Sequence, residues 1–244
     1  MKLGPHLHRI GNDIVAVYLI DTDEGVTLID AGLAGHWGEL TTELAGMGKS
    51  LGDIRGVILT HGDTDHIGFA ERLRREQGVP IYVHSADAAR ARGEVKTKPS
   101  WGKVNIGAVT RFFWYASTHG GMRTTYLTDV VEIHEGQVLD LPGAPQIIGM
   151  PGHSPGSIAV YSQIADAVFV GDGLTTRHVL TGKGGPQPAP FTDDPQEAIA
   201  SLRQLERVNA TWVLPGHGTP WNGGVAEAIR QVDLAAAAAS QKTK

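Results

Sequence analysis

The fold of this chain is decided by one stretch, Val57-Ile58-Leu59-Thr60-His61-Gly62-Asp63-Thr64-Asp65-His66-Ile67-Gly68. The apolar, β-branched run at its start predicts a buried strand, and the apolar spacing after it predicts a helix over 67–77. A loop between a strand and a helix projects its side chains from the carboxyl edge of a sheet, where α/β proteins place their ligands. Two imidazoles and two carboxylates within six residues are costly to crowd together without a cation. The stretch therefore predicts a metal site in an α/β protein.

Composition narrows the class of protein. The 244 residues are 41% hydrophobic and 19% charged, which is typical of a globular enzyme. The net charge of -5 argues against a nucleic-acid partner, and no apolar run reaches membrane-spanning length. The absence of cysteine excludes disulfides and thiolate ligands. The N-terminus does not resemble a signal peptide, so we predict a cytoplasmic protein with a small-molecule substrate and leave its oligomeric state open.

Strand and helix patterns occur in the same order in the two halves of the chain. Predicted strands lie at 8–10, 14–20, 26–30, 56–60 and 80–84, then at 130–133, 137–139, 146–150, 157–161, 167–170 and 211–214. Helices are predicted at 38–47 and 67–77, from the cap Ser85 through Ala91, after the cap Asp194-Pro195, and from near Asn222. Each half has strands followed by helices. Two such halves that face each other predict a four-layer αββα sandwich. We expect residues 1–244 to form one domain.

The segment 93–129 breaks this regular pattern and gathers aromatic residues. Arg111-Phe112-Phe113-Trp114-Tyr115 holds four of them, and Trp101 precedes it. One interpretation is a small core under a long loop. The other is a lid or pocket wall at about 95–129, because long irregular segments in compact domains are often functional. The candidate pocket residues are Phe113, Trp114, His119 and His178.

Polar residues stand at the ends of several predicted strands, in loops framed by glycine and proline. Glycine lets the backbone approach a small cation closely. In chain order these residues are Asp30, His61, Asp63, Asp65, His66, His153, Asp172 and His217.

This ordered set resembles the five motifs of the metallo-β-lactamase-fold superfamily: Asp30, His61-x-Asp63-x-Asp65-His66, His153, Asp172 and His217. The resemblance spans nearly the whole chain and implies the αββα fold with two divalent metal ions. It implies one metal site of His61, Asp63 and His153, and a second of Asp65, His66 and His217. Asp172 would bridge the two sites, and Asp30 would support them without binding metal.

Asp63 is a departure from that pattern, because most zinc hydrolases of the superfamily carry histidine there. A carboxylate is a harder ligand than imidazole, so iron and manganese join zinc as candidate metals, with zinc the first expectation. We expect Asp63 to mark the weaker site. On sequence grounds alone, Asp63→His would raise zinc occupancy.

The resemblance implies a hydrolase that uses a metal-bound hydroxide on an ester, lactone, thioester or related acyl substrate. Asp172 would hold the metals, and Asp65 would take the proton and pass it to the leaving group. Two alternatives remain open: a di-iron redox protein of flavodiiron type without its flavodoxin domain, and a non-catalytic metal-binding relative. Metal type and metal count would separate the three.

Overall fold

The first half of the chain builds a mixed sheet. The computed structural model describes residues 1–95 and 104–241. Within them, one sheet has seven strands in chain order: β1 (Lys2–Gly4), β2 (Leu7–Gly11), β3 (Ala16–Thr22), β4 (Gly25–Ile29), β5 (Ile54–Ile58), β6 (Ile81–His84) and β7 (Val131–Ile133). Strands β1 to β4 pair antiparallel, and β4 to β7 pair parallel. The parallel strands all end at one edge.

The second half builds a smaller sheet. Its strands include β8 (Gln146–Gly149), β9 (Ile158–Ser162) and β10 (Ala167–Gly171). Next, β11 (Thr175–Arg177) and β12 (Gly184–Gln187) pair only with each other in the described part of the chain, and β13 (Trp212–Pro215) then joins β10 in parallel. The order across the sheet is β13-β10-β9-β8.

Alternating side chains on each strand explain why the two sheets pack face to face. On β3, Val17 and Leu19 belong to the core under the helices, whereas Tyr18 belongs to the core between the sheets. On β10, Val168 faces the outer helices and Phe169 meets Tyr18, with ring centroids 5.6 Å apart. This period of two gives each sheet two buried faces.

Helices cover the outer face of each sheet, which confirms the predicted αββα sandwich. The first sheet carries α1 (Trp37–Gly46), α2 (Ala70–Gln77) and α3 (Ala88–Ala91), and α4 (Ile106–Thr118) follows. The second sheet carries α5 (Pro195–Ser201) and α6 (Val225–Gln241), with a 3-10 helix between them. Among the helices described, none has both the length and the apolar character needed to cross a bilayer.

The prediction of an irregular segment at 93–129 was wrong in its middle, where α4 forms a helix of 13 residues. Asn105 caps this helix by accepting a hydrogen bond from the Ala108 N–H. Its inward face packs Phe112 and Tyr115 against Ile14, Val15 and Leu33. Trp101 lies outside the described residues.

Smaller corrections concern strands and one cap. The predicted strand at 137–139 is reduced to an isolated bridge between Val138 and Gln146. The structure adds β1, β11 and β12, none of which the apolar pattern predicts. The short helix near residue 85 begins as a 3-10 turn whose cap is His84 instead of Ser85.

Candidate metal centre

Eight polar residues predicted from the sequence lie together at one edge of the sandwich. Each follows the carboxyl end of a strand, where parallel neighbours such as β4 and β5, or β10 and β13, terminate side by side. In chain order, the strands β4, β5, β8, β10 and β13 lead to Asp30, to the loop His61–His66, to His153, to Asp172 and to His217. The two sheets therefore contribute to one centre.

In the first cluster, one carboxylate contacts a histidine from each half of the chain. Asp63 Oδ2 lies 3.5 Å from His61 Nε2 and 3.3 Å from His153 Nε2. Three ligand atoms of this cluster fall within 4.8 Å of one another. That spacing suits a single cation held by two nitrogens and one oxygen.

The second cluster has the same composition of one acid and two histidines. Asp65 Oδ2 lies 3.5 Å from His217 Nε2, and Asp65 Oδ1 lies 4.0 Å from His66 Nε2. Asp172 lies between the clusters: its Oδ2 is 3.1 Å from His217 Nε2 and 3.8 Å from His153 Nε2, and its Oδ1 is 3.7 Å from His66 Nε2. The Asp172 carboxylate thus contacts histidines of both clusters.

All four histidines use Nδ1 for a hydrogen bond to the protein and direct Nε2 into the centre. His66 Nδ1 donates to Asp30 Oδ2 at 2.8 Å, and His217 Nδ1 donates to the carbonyl of Ile14. The other two donate to threonine hydroxyls that themselves donate onward: His61 to Thr60 at 3.1 Å, and His153 to Thr192 at 3.3 Å. Such bonds fix the tautomer and the ring orientation of metal-ligating histidines.

Unpartnered buried atoms show that the residues fit a metal ion. His61 Nε2, His66 Nε2 and Asp172 Oδ1 are buried without a hydrogen-bond partner. Buried polar atoms are normally paired, because leaving one unpaired costs about 1–3 kcal/mol. Nitrogen and oxygen donors of this kind are the ligands that zinc, iron and manganese accept.

The charges of the centre shift the pKa values of its members strongly. Burial lowers the pKa of His66, but the carboxylates of Asp30, Asp65 and Asp172 outweigh it and raise that pKa to about 10. Burial also lowers the pKa of His217, but the carboxylates of Asp172 and Asp65 outweigh it and raise that pKa to about 9. Burial alone would raise the pKa of Asp172, yet the neighbouring histidines hold it well below its usual range. The carboxylates and the histidines of the centre therefore stabilise each other's charged forms.

Backbone geometry brings these loops into contact. Asp30 adopts a left-handed conformation, φ 63°, and its Oδ1 accepts a hydrogen bond of 2.7 Å from the Thr60 N–H. It lies behind His66 and binds that ring from the side away from the centre. At Gly216, a Cβ atom would stand 2.5 Å from His66 Cε1 and 2.7 Å from Asp172 Oδ1. Only glycine lets the strand end pass so close to both side chains.

Two further buried groups hold the loops, and sequence reasoning did not single them out. Asp87, fully buried, accepts hydrogen bonds from Gly62 and Gly156 N–H and from the Ser154 hydroxyl. Arg90, 6% exposed, donates from Nε to Asp63 Oδ1 at 2.6 Å. The available signal was the occurrence of charged residues in the alanine-rich segment 85–91, directly after a strand.

An apolar cavity opens beside the first cluster. Its volume is about 490 Å³, and Asp63, Asp65 and Arg90 form its polar floor. Aromatic and aliphatic side chains form the described part of its walls: Leu33, Val95, Phe112, Phe113, Met122, Tyr126 and Phe191. Helix α4 thus supplies one wall of the cavity.

Of the four predicted pocket residues, only Phe113 is among the described residues that line this cavity. Trp114, one helical position further, is 71% exposed, which corrects its assignment to the pocket wall. His119 stacks on Tyr115, with ring centroids 4.0 Å apart. His178 is half-buried at the end of β11, and burial lowers its pKa. Helical periodicity explains the difference between positions 113 and 114, since successive side chains point about 100° apart.

Comparison with known proteins agrees with this geometry. A sequence model of the metallo-beta-lactamase superfamily matches residues 10–217. The probable metallo-hydrolase YflN of Bacillus subtilis (strain 168) is 28% identical over 229 residues, which cover 89% of this chain and 85% of that protein.

Two solved structures are similar over nearly the whole chain. The metallo-beta-lactamase family protein TTHA1429 from Thermus thermophilus has a TM-score of 0.70 at 22% identity, covering 98% of this chain and 81% of its own. TTHA1623, solved in a di-iron-bound form, has a TM-score of 0.61 at 26% identity, covering 95% of this chain and 97% of its own. The resemblance seen in the sequence motifs is confirmed.

Proposed function

This chain belongs to the metallo-β-lactamase superfamily, and from that premise we propose that it is a dinuclear metallo-hydrolase acting on a small acyl substrate. An ester, a lactone, a thioester or a related compound fits the site. One metal ion would be held by His61, Asp63 and His153, and the other by Asp65, His66 and His217. Asp172 would serve both ions. Zinc is the expected metal.

The observation that carries this proposal is the convergence of four Nε2 atoms and three carboxylates, with every Nδ1 already engaged. A structural ion pair would not require four histidines locked in the same tautomer. Two divalent ions, when bound, polarise a carbonyl oxygen and bring the pKa of a water molecule close to neutrality.

Asp65 is the residue that we propose moves a proton during acyl cleavage. Its carboxylate contacts His217 at 3.5 Å and also forms part of the cavity floor. A group at this boundary can reach both the histidines of the cluster and a substrate bound in the cavity. We assign to Asp65 the acceptance of the proton from the attacking water and its delivery to the leaving group.

The cavity favours a neutral, apolar acyl group. Its described walls are aromatic and aliphatic, and the one cation among its described lining residues, Arg90, is already paired with Asp63 and Asp193. Apolar lining with a few polar groups is typical of small-molecule sites.

Phe113→Ala should therefore weaken binding of bulky acyl groups. We expect KM to rise roughly tenfold for a phenylacetyl ester and little for an acetyl ester, because truncation removes apolar contact worth about 1.4 kcal/mol. Trp114→Ala is the matched control on the same helix and should leave both values unchanged. Metal content, measured in parallel, should stay constant in both variants. An equal effect of the two substitutions on all substrates, with a lowered Tm, would refute this pocket wall.

Elemental analysis of protein purified without chelator, combined with a hydrolysis panel, tests the proposed function. We expect two equivalents of divalent metal per chain and turnover of at least one class among aryl esters, lactones and thioesters. Chelation should abolish that turnover, and added metal should restore it. Bound metal with no hydrolysis across the panel would favour a non-catalytic relative.

A di-iron redox protein is the second candidate. Asp63 places a carboxylate in the first cluster, and the similar TTHA1623 was solved in a di-iron-bound form. Two histidines with one carboxylate, as in His61, Asp63 and His153, form a ligand set that non-haem iron also uses. Iron as the dominant metal, with a visible absorption band that is bleached by reductant, would favour this candidate over the hydrolase.

A further inference from the structure

Arg90 joins two carboxylates from distant parts of the chain. Its Nε donates to Asp63 Oδ1 at 2.6 Å, and its Nη1 donates to Asp193 Oδ2 at 2.7 Å. The side chain comes from α3 and is almost entirely buried. A guanidinium is always charged and presents its N–H groups in a planar fork, so it holds both acids in a fixed geometry.

This contact divides the two oxygens of Asp63 between different partners. Asp63 Oδ1 accepts a hydrogen bond from the Arg90 guanidinium. Asp63 Oδ2 instead faces the Nε2 atoms of His61 and His153, at 3.5 and 3.3 Å. Asp65 and Asp172, the other acids of the centre, have only histidines as charged partners among the described residues. Among the three acids proposed as metal ligands, Asp63 is thus the one that pairs with a permanent cation.

We propose, on the basis of the proposed function, that Arg90 is a positioning residue that makes Asp63 a single-oxygen metal ligand. Taken by themselves, the Asp63 carboxylate and the Arg90 guanidinium carry no net charge and resemble a neutral imidazole in that respect, although Asp193 shares the same guanidinium. Orienting partners of this kind are usually worth 10–100-fold in metal affinity. The metal affinity that a residue at position 63 provides should therefore depend on which residue stands at position 90.

Substitution of the ligand alone should then fail. In Asp63→His, the imidazole would face a buried guanidinium whose Nε–H has lost its acceptor, and a buried unpaired donor on a charged group is costly even though Asp193 still balances the charge. The expectation from sequence alone, that this substitution raises zinc occupancy, is reversed. The double variant Asp63→His/Arg90→Met removes the guanidinium with its unpaired donor and leaves the partly exposed Asp193 carboxylate to the solvent.

The test measures the zinc affinity of the whole chain by competition with a chromophoric chelator. We expect Asp63→His to weaken binding of one of the two ions by about tenfold or more, and the double variant to recover most of that loss. Arg90→Met completes the double-mutant cycle. We expect the effects of the two substitutions on zinc affinity to be coupled by about tenfold or more. Asp193→Asn is the matched control; it keeps an oxygen acceptor for Arg90 and should bind both ions as the parent does.

Independent effects of the two substitutions, or equal zinc binding by Asp63→His and the double variant, would overturn the role of Arg90. If Asp63→His does not fold, Asp63→Asn with and without Arg90→Met gives the same comparison with a side chain of aspartate size. Circular dichroism of each variant separates unfolding from loss of one ion. A parent protein that binds no zinc, iron or manganese would instead overturn the proposed function, and this inference with it.

Discussion

Asp172→Ala is expected to lower hydrolytic activity by roughly 1000-fold or more while leaving the fold intact. The Asp172 carboxylate contacts His66, His153 and His217, which come from both ligand clusters. Its removal therefore affects both metal positions at once. Metal-ion stabilisation is worth several kcal/mol in catalysis, and each 1.36 kcal/mol changes a rate tenfold.

The fold should survive because Asp172 follows β10 and does not belong to its apolar faces. Val168 and Phe169, which do, are untouched by the substitution. The measurement is kcat/KM on the best substrate of the hydrolysis panel, together with metal content and Tm. Asp129→Ala, on an exposed part of the chain, is the control and should match the parent. Full activity with unchanged metal content in Asp172→Ala would refute the shared-ligand role.

The clustering of the candidate ligand residues could be predicted from sequence because its signals are local. Each residue stands immediately after an apolar strand, in a loop marked by glycine or proline, and parallel strands end at a common edge. His153 and Asp63 are far apart in the chain and follow strands of different sheets, yet the face-to-face packing of the two sheets brings their side chains to 3.3 Å. The same reasoning explains why the layers were predicted correctly, since β3 and β10 show clear alternation between two buried faces.

The groups that hold the ligands could not be predicted, because their signal appears only in three dimensions. Arg90 meets Asp193 across 103 residues of sequence, and Asp87 meets Gly156 across 69. A charged residue in a short helix normally indicates a solvated surface, so the charges within the alanine-rich segment 85–91 do not by themselves mark these two as buried.

Helix α4 was missed for a different reason. Its sequence, IGAVTRFFWYAST, is rich in β-branched and aromatic residues, which are weak helix formers. Packing of Phe112 and Tyr115 against Leu33 overrides that weak propensity. The spacing of Ala108, Phe112, Tyr115 and His119 along one face was the signal that could have revealed it.

Strand β12 was hidden by its composition, because Gly184-Gly185-Pro186-Gln187 would ordinarily indicate a loop. Its partner β11 nevertheless supports the centre. The Thr175 hydroxyl and the Thr176 N–H both donate to the carbonyl of His217, at 2.6 and 3.1 Å. This small sheet therefore holds a ligand loop without supplying a ligand.

Asp87→Ala is expected to cost about 3–5 kcal/mol of folding free energy, the largest stability effect we predict. The Asp87 carboxylate is fully buried and ties two ligand loops together. Its Oδ2 accepts from the Gly62 N–H at 2.8 Å and from the Ser154 hydroxyl at 2.7 Å, and its Oδ1 accepts from the Gly156 N–H at 2.8 Å. Alanine would leave two buried backbone donors without an acceptor.

The expected readout is a fall in Tm of about 6–20 °C, since 1 kcal/mol corresponds to about 2–4 °C for a chain of this size. Asp23→Ala, in the exposed turn between β3 and β4, is the control and should change Tm little. Gly62 adjoins His61 and Asp63, and Ser154 adjoins His153, so zinc affinity should fall together with Tm. Asp172→Ala should show the opposite pattern, with activity lost and Tm nearly unchanged. If Asp87→Ala kept the Tm of the parent, the two loops would have to be held by other contacts, and Asp87 would have no structural role at the centre.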